Sequence, residues 1–60
     1  MNPMISVPEA ARLMGLSVAT LRRMLYARVL PFYKVRRRVL LSVADIEAWL
    51  HAHRIEPRAA

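Results

Sequence analysis

The sequence contains no cysteine, only one glycine and only four acidic residues among its 60 amino acids. Without cysteine it can form neither a disulfide framework nor a cysteine-based zinc site, and the redox compartment stays open. No uncharged apolar run approaches the roughly 20 residues of a membrane-spanning helix, and the N-terminus lacks a secretion-signal pattern. We therefore expect a cytoplasmic protein with no membrane partner.

The ten basic residues outnumber the acidic ones and give a formal net charge of +6. Most of them lie between Arg22 and Arg38, and no acidic residue interrupts that segment. This charge favours a polyanionic partner, and we expect double-stranded DNA. A chain of this length folds as one domain with no room for a core together with a buried substrate cavity, so we do not expect an enzyme.

The one glycine separates two helical patterns. Glycine turns left-handed at little cost, so Gly15 is suited to end a helix, and Ser17 is suited to cap the next. The pattern predicts a first helix from about Val7 to Met14 and a second from about Val18 to Ala27. Together they form a candidate helix-turn-helix.

A capping box begins the first of these helices. Ser6 is placed to cap it, Glu9 to reach back, and Pro8 lies in the first turn, where no donor is missed. Residues 1–5 are predicted to be a frayed lead-in, in which Ile5 can pack as part of a hydrophobic staple. The predicted inward stripe of the helix consists of Ala10, Leu13 and Met14.

The second helix has an apolar and a polar face. The predicted buried residues are Leu21, Met24 and Leu25, with Leu16 at the corner. The residues predicted to contact DNA are Ser17, Ala19, Thr20, Arg22, Arg23 and Tyr26. In this set either arginine can bond guanine O6 and N7, and the threonine can contact a base or a thymine methyl group.

Two short apolar stretches follow Pro31, which ends the second helix. Residues 32–35 and 39–41 have strand-forming composition and flank three consecutive arginines, which predicts a hairpin with an arginine tip. The residues of this hairpin predicted to contact DNA are Lys34, Arg36, Arg37 and Arg38. The alternative for the basic cluster is a solvated charged face, but its division between a helix and a hairpin favours DNA.

The last pattern predicts a third helix from about Val43 to His53. Ser42 and Asp45 form a second capping box. The predicted inward residues are Ile46, Trp49, Leu50 and His53, with the tryptophan as the largest core residue. The ordered core is predicted over about 5–53 of a single domain, 1–60, with a loose tail over about 54–60.

No catalytic, metal or cofactor site is predicted. His51 and His53 are two positions apart and face different sides of a helix, whereas helical metal ligands lie three or four apart. The serines at positions 6, 17 and 42 all have predicted capping roles, so none is a candidate nucleophile.

From Ser6 to Leu50 the sequence resembles the excisionase-type, MerR-like winged-helix family of small DNA-binding proteins, found among phage excisionases and related regulators. The segments that carry the resemblance are Val7-Pro8-Glu9-Ala10-Ala11, Gly15-Leu16-Ser17, Thr20-Leu21-Arg22-Arg23, Leu30-Pro31 and Asp45-Ile46-Glu47-Ala48-Trp49-Leu50. The resemblance implies a mainly α winged helix-turn-helix with three helices and a two-stranded wing. It also implies that the second helix enters the major groove while the wing lies along the backbone or the adjacent minor groove.

The resemblance further implies an excisionase, or recombination directionality factor. Such a protein binds near an attachment site of a phage or mobile element, often with further copies side by side, bends the DNA and helps an integrase to assemble for excision. It would act in a bacterial cell or a phage-infected host, associated with the nucleoid. A bare winged-helix domain without a sensing or long dimerisation segment fits such an architectural role.

Two positions depart from the family pattern, which usually has glycine where this chain has Arg28 and Arg36. If both backbones are left-handed, each arginine costs on the order of 1–2 kcal/mol. Either the turns differ, or the added charge on DNA compensates.

Two alternatives remain open. A small transcriptional regulator on the same scaffold would bind a promoter without a recombinase. A basic membrane-surface or protein-interaction module is less favoured, because a membrane-surface peptide would carry its basic residues on one continuous amphipathic helix.

Overall fold

Three helices and a three-stranded antiparallel sheet make up the computed structural model, which describes residues 3–57. In chain order the elements are β1 (Met4–Ser6), α1 (Val7–Met14), α2 (Val18–Tyr26), β2 (Tyr33–Val35), β3 (Arg38–Ser42) and α3 (Val43–Ala52). This architecture confirms the predicted winged helix-turn-helix, with a third strand added to the wing sheet. Helices α2 and α3 each end one residue before the predicted position, because Ala27 and His53 are their C-caps.

The turn between α1 and α2 forms as the sequence predicts. Gly15 has a φ of 70°, its N–H donates to the Arg12 carbonyl at 3.2 Å, and the Leu16 N–H donates to the Ala11 carbonyl at 2.9 Å. These two bonds form a Schellman motif, which satisfies carbonyls at the end of the helix. An added Cβ at Gly15 would meet no atom within 4 Å, so only the positive φ requires glycine.

The predicted serine caps of α1 and α2 are confirmed. Ser6 Oγ accepts from the Glu9 N–H at 3.4 Å, and Ser17 Oγ accepts from the Thr20 N–H at 3.1 Å. The Glu9 side chain also reaches back to Ser6. Its Oε1 accepts from the serine hydroxyl at 3.4 Å, instead of from the backbone N–H as in a standard capping box. Each cap satisfies a donor that the first helical turn leaves without a partner.

Strand β3 is the middle of the sheet, with β1 on one side and β2 on the other. The prediction of a frayed lead-in was therefore wrong for residues 4 and 5, because Met4 pairs with Ser42 and Ile5 with Leu41. A strand of three residues is too short to show alternation in the sequence, and the edge of β3 supplies its hydrogen bonds. Residues 1 and 2 of the lead-in lie outside the described residues.

The start of α3 uses a different cap from the predicted one. Ser42 makes no side-chain hydrogen bond to the helix, so the predicted capping box with Asp45 was wrong. Ser42 instead ends β3 opposite Met4, and the Val43 N–H donates to the Pro3 carbonyl at 3.1 Å. A backbone carbonyl of the N-terminal segment thus satisfies the Val43 N–H at the start of α3.

The core lies between α1, α2, α3 and the inner face of the sheet. Its fully buried large side chains are Leu21, Leu41 and Ile46, one each from α2, β3 and α3. The remaining buried hydrophobic residues are Val7, Ala10, Ala11, Met14, Leu25 and Leu30. Of the predicted face of α2, Met24 is only partly buried, as is Leu16 at the corner.

The inward face of α1 differs from the prediction at three residues, since Leu13 lies outside it and Val7 and Ala11 belong to it. Leu13 is 57% exposed, whereas Val7, Ala10, Ala11 and Met14 are buried. These four follow the i, i+3, i+4, i+7 pattern of a single helical stripe, and Leu13 lies outside it. The prediction failed because it favoured the large side chain of Leu13 over that of Ala11, whose small size lets the neighbouring elements approach closely.

Helix α3 buries less than the sequence predicts. Trp49 is only partly buried against the core, while Leu50 and His53 are exposed. The two aromatic rings instead stack on each other with centroids 4.0 Å apart, and His53 Nδ1 lies 2.8 Å from the Trp49 carbonyl oxygen. Helix α3 packs mainly against α1 and β3, and the residues from Leu50 to His53 at its C-terminal end are exposed.

The C-terminal segment is exposed and has no regular structure over residues 54–57, as predicted. Arg54 forms an ion pair with Glu56, with a nitrogen to oxygen distance of 2.9 Å. The rest of the predicted tail, residues 58–60, lies outside the described residues. Within the described part of the chain, no helix has the length and apolar character needed to cross a membrane.

The different burial of two leucines gives a direct test of this core. We expect Leu41→Ala to lower the free energy of unfolding by about 2–5 kcal/mol, because it leaves a cavity in the central strand. The exposed Leu13→Ala variant should change it by no more than about 0.5 kcal/mol. Urea denaturation of both variants measures the difference, and equal losses would contradict this placement of the core.

Candidate nucleic-acid interface

The outward face of α2 carries two arginines and two uncharged contact candidates. Successive residues of a helix are about 100° apart, so Ala19 and Tyr26 lie near the middle of this face and Arg22 and Arg23 on its two sides. Both arginines are exposed, and Tyr26 is 87% exposed. The structure therefore brings these four predicted residues onto one accessible surface.

A hydrogen-bonded cluster forms at the first turn of α2. Ser17 Oγ donates to Thr20 Oγ1 at 2.8 Å, and Arg23 Nη2 donates to the same oxygen at 3.3 Å. Both acceptor positions of the Thr20 hydroxyl are then used, so the hydroxyl has only its proton to offer a ligand. Ser17 acts mainly as a cap, and Arg23 is held near the N-terminal half of the helix.

The wing ends in two arginines rather than three. Val35 pairs with Arg38, so the loop consists of Arg36 and Arg37, and Arg38 belongs to strand β3. The predicted three-arginine tip was wrong in this respect, because the strand pairing extends one residue farther than the apolar pattern indicates. All three arginines are exposed.

The register divides the basic residues of the wing between its two faces. Lys34 pairs with Val39, and directly opposed residues share a face of the sheet. Both line a cleft that faces α2. Arg38 directly precedes Val39 in β3 and so lies on the opposite face from Lys34.

The cleft between α2 and the wing has a volume of about 290 Å³. Its apolar lining residues are Val7, Leu25, Phe32 and Val39, and its polar ones are Arg22, Tyr26, Arg28 and Lys34. Three of these side chains are cations and none is an acid. The cleft therefore combines an apolar floor with a positively charged rim.

Arg28 is the site residue that the sequence prediction omitted. It lies just after α2, lines the cleft, and places its guanidinium carbon 5.8 Å from the centre of the Phe32 ring. Two signals in the sequence could have identified it: its place within the uninterrupted basic segment, and an arginine where the resembled family has glycine.

The acidic residues lie on other elements. Glu9 is in α1, Asp45 and Glu47 are in α3, and Glu56 is in the C-terminal segment. Strands β2 and β3 and helix α2 contain basic residues and no acidic ones. The positive charge of the chain is therefore concentrated on the side formed by α2 and the wing.

The dimensions of this surface match duplex DNA. An α-helix with its side chains is about 10–12 Å across, and the major groove of B-DNA is about 12 Å wide, so α2 can enter it. Arginines beside such a helix and on a projecting hairpin are placed to meet phosphates on either side of a groove.

The comparisons with known proteins agree with this geometry. Residues 4–54 match the model of a helix-turn-helix domain, which occurs in excisionase-like DNA-binding proteins. Neither the curated proteins nor the solved structures give a significant match. The match extends over all the helices and strands described above, and the chain therefore belongs to the helix-turn-helix domain family of DNA-binding proteins.

Proposed function

We propose that the protein is an excisionase, or recombination directionality factor, of the MerR-like winged-helix type. In this proposal α2 enters the major groove at an attachment site and the wing follows the adjacent backbone or minor groove. Copies bound side by side bend the DNA and help an integrase to assemble the excision complex.

One observation carries the DNA-binding mode. Most of the basic residues lie on α2, on the turn that follows it and on the wing, and all acidic residues lie on other elements. Such a separation attracts a polyanion and orients it toward the projecting helix. The excisionase role rests on the resemblance of residues 6–50 and on the occurrence of this helix-turn-helix family in excisionase-like proteins.

Footprinting and a bending assay on attachment-site DNA, with integrase excision measured in parallel, test the proposed role. We expect protection of adjacent sites, a bend, and more excised product when the protein is added. Specific binding without any stimulation of excision would contradict the excisionase role. If the bound sites then lie in a promoter and binding changes its transcription, the protein is a regulator on the same scaffold.

The two arginines of α2 should have different effects on binding. The Arg23 side chain reaches back along α2 to Thr20, toward the N-terminal end, where the residues of a recognition helix read base edges. We expect Arg23→Ala to reduce discrimination between the preferred and other sequences by roughly 1–3 kcal/mol. Arg22 lies in the cleft beside the wing, so Arg22→Ala should weaken binding to all duplexes about equally.

Competition binding with a duplex selected from a random library measures both effects. The variant Arg54→Ala is the control, because it removes the same charge from the C-terminal segment beyond α3. An equal loss on every sequence for Arg23→Ala would assign this arginine to a phosphate.

The wing should contribute to affinity rather than to sequence preference. Arg37 is the second residue of the exposed loop. A residue that neutralises one phosphate releases condensed counterions, so Arg37→Ala should lower the slope of log K against log salt by about 1. Titrations across a range of salt concentrations measure this slope, and an unchanged slope would contradict the wing contact.

A further inference from the structure

Two arginines adopt a backbone conformation that favours glycine. Among the described residues, the non-glycine residues with positive φ are Arg28 at 59° and Arg36 at 58°. A Cβ makes this left-handed region unfavourable, whereas glycine enters it freely. The fold therefore loses stability at both positions relative to a chain with glycine there.

The turn at Arg28 repeats the turn at Gly15. The Arg28 N–H donates to the Leu25 carbonyl at 3.1 Å, and the Val29 N–H donates to the Met24 carbonyl at 3.1 Å. These bonds have the same spacing as those around Gly15, so both helices end in a Schellman motif. The chain thus has glycine at one such position and arginine at the other.

The surroundings of Arg28 offer its charge no acidic partner. The other ionisable cations that line the cleft are Arg22 and Lys34, and no carboxylate lines it. The guanidinium of Arg28 lies over the ring of Phe32, which accepts no conventional hydrogen bond. Its N–H donors therefore remain available. Both the strained backbone and the cluster of like charges are unfavourable in the free protein, and an anion in the cleft would offset them.

We propose that Arg28 binds a phosphate of the DNA backbone where it passes between α2 and the wing, and that this contact is obtained at the expense of fold stability. At the wing tip, Arg36 likewise binds a phosphate at the cost of a left-handed backbone. This inference rests on the proposed DNA binding and adds a contact residue to it. The cleft suits a phosphodiester backbone because its cations surround an apolar floor that sugars can contact.

Three substitutions at position 28 separate charge from backbone strain. Arg28→Gly removes both, Arg28→Asn removes the charge with a residue that tolerates the left-handed region, and Arg28→Lys keeps both the charge and the Cβ. Thermal unfolding gives the Tm of each variant. Titration of the library-selected duplex, and of a duplex of unrelated sequence, gives the affinity and its salt dependence.

We expect Arg28→Gly to bind both duplexes about five- to tenfold more weakly near 0.1 M salt, with a salt slope lower by about 1. Its Tm should rise, by on the order of 5 °C, because the strain is relieved. Arg28→Asn should show the same loss of affinity without a fall in Tm. Arg28→Lys should keep the wild-type salt slope and Tm.

Two controls define the baseline for these effects. Gly15→Ala should lower the Tm, because it introduces a Cβ at the matching left-handed position, where there is open space for it. Arg54→Gln should leave the salt slope unchanged, because it removes a charge outside the cleft.

The outcomes that overturn the inference differ from those that overturn the proposed function. If the wild type binds DNA and Arg28→Gly binds with the same affinity and slope, Arg28 is not a phosphate contact. If Arg28→Gly has a Tm no higher than the wild type, the exchange of stability for affinity is wrong. A wild type that binds no duplex would instead contradict the proposed DNA binding.

Discussion

The position of the wing depends on the double pairing of β3. This strand joins β1 on one side and β2 on the other, and it continues directly into α3 through Ser42 and Val43. Leu41, which is fully buried, ties the same strand to the core. The hairpin is therefore anchored in a sheet whose other edge strand comes from the N-terminal segment. Because β2 is held in register, Lys34 faces α2, and a charged cleft forms between helix and wing.

The helices could be predicted more completely than the sheet. Local signals set the helix boundaries, since Ser6, Ser17 and Gly15 act through bonds to residues a few positions away. Strand β1 could not be predicted, because three residues show no periodicity and their partners lie far along the chain, as in the pairing of Met4 with Ser42. The predicted cap of α3 failed for the same reason, because Ser42 pairs with Met4 and its side chain makes no hydrogen bond to the helix. In the site, residues on α2 and the wing could be named from the sequence, but their division between the faces of the hairpin follows from the register alone.

Stability and charge oppose each other in this domain. A chain of 60 residues buries only about 60% of the surface that its unfolded form exposes, a smaller share than a larger protein buries, so each unfavourable turn matters more. Two left-handed arginines and a cluster of cations without acidic neighbours reduce stability in the free state. All of these features lie on the side of α2 and the wing. Binding of a polyanion would stabilise the folded state through the same residues, which couples folding to DNA binding.

Mapping the bound surface tests the central claim most directly. In an NMR titration of the labelled protein with a library-selected duplex, amide signals report which residues meet the DNA. We predict the largest shifts in α2, in the loop of Arg36 and Arg37, and at Arg28, with small shifts along the exposed side of α3 around Glu47. Shifts concentrated on α3, with those of α2 and the wing unchanged, would contradict the account.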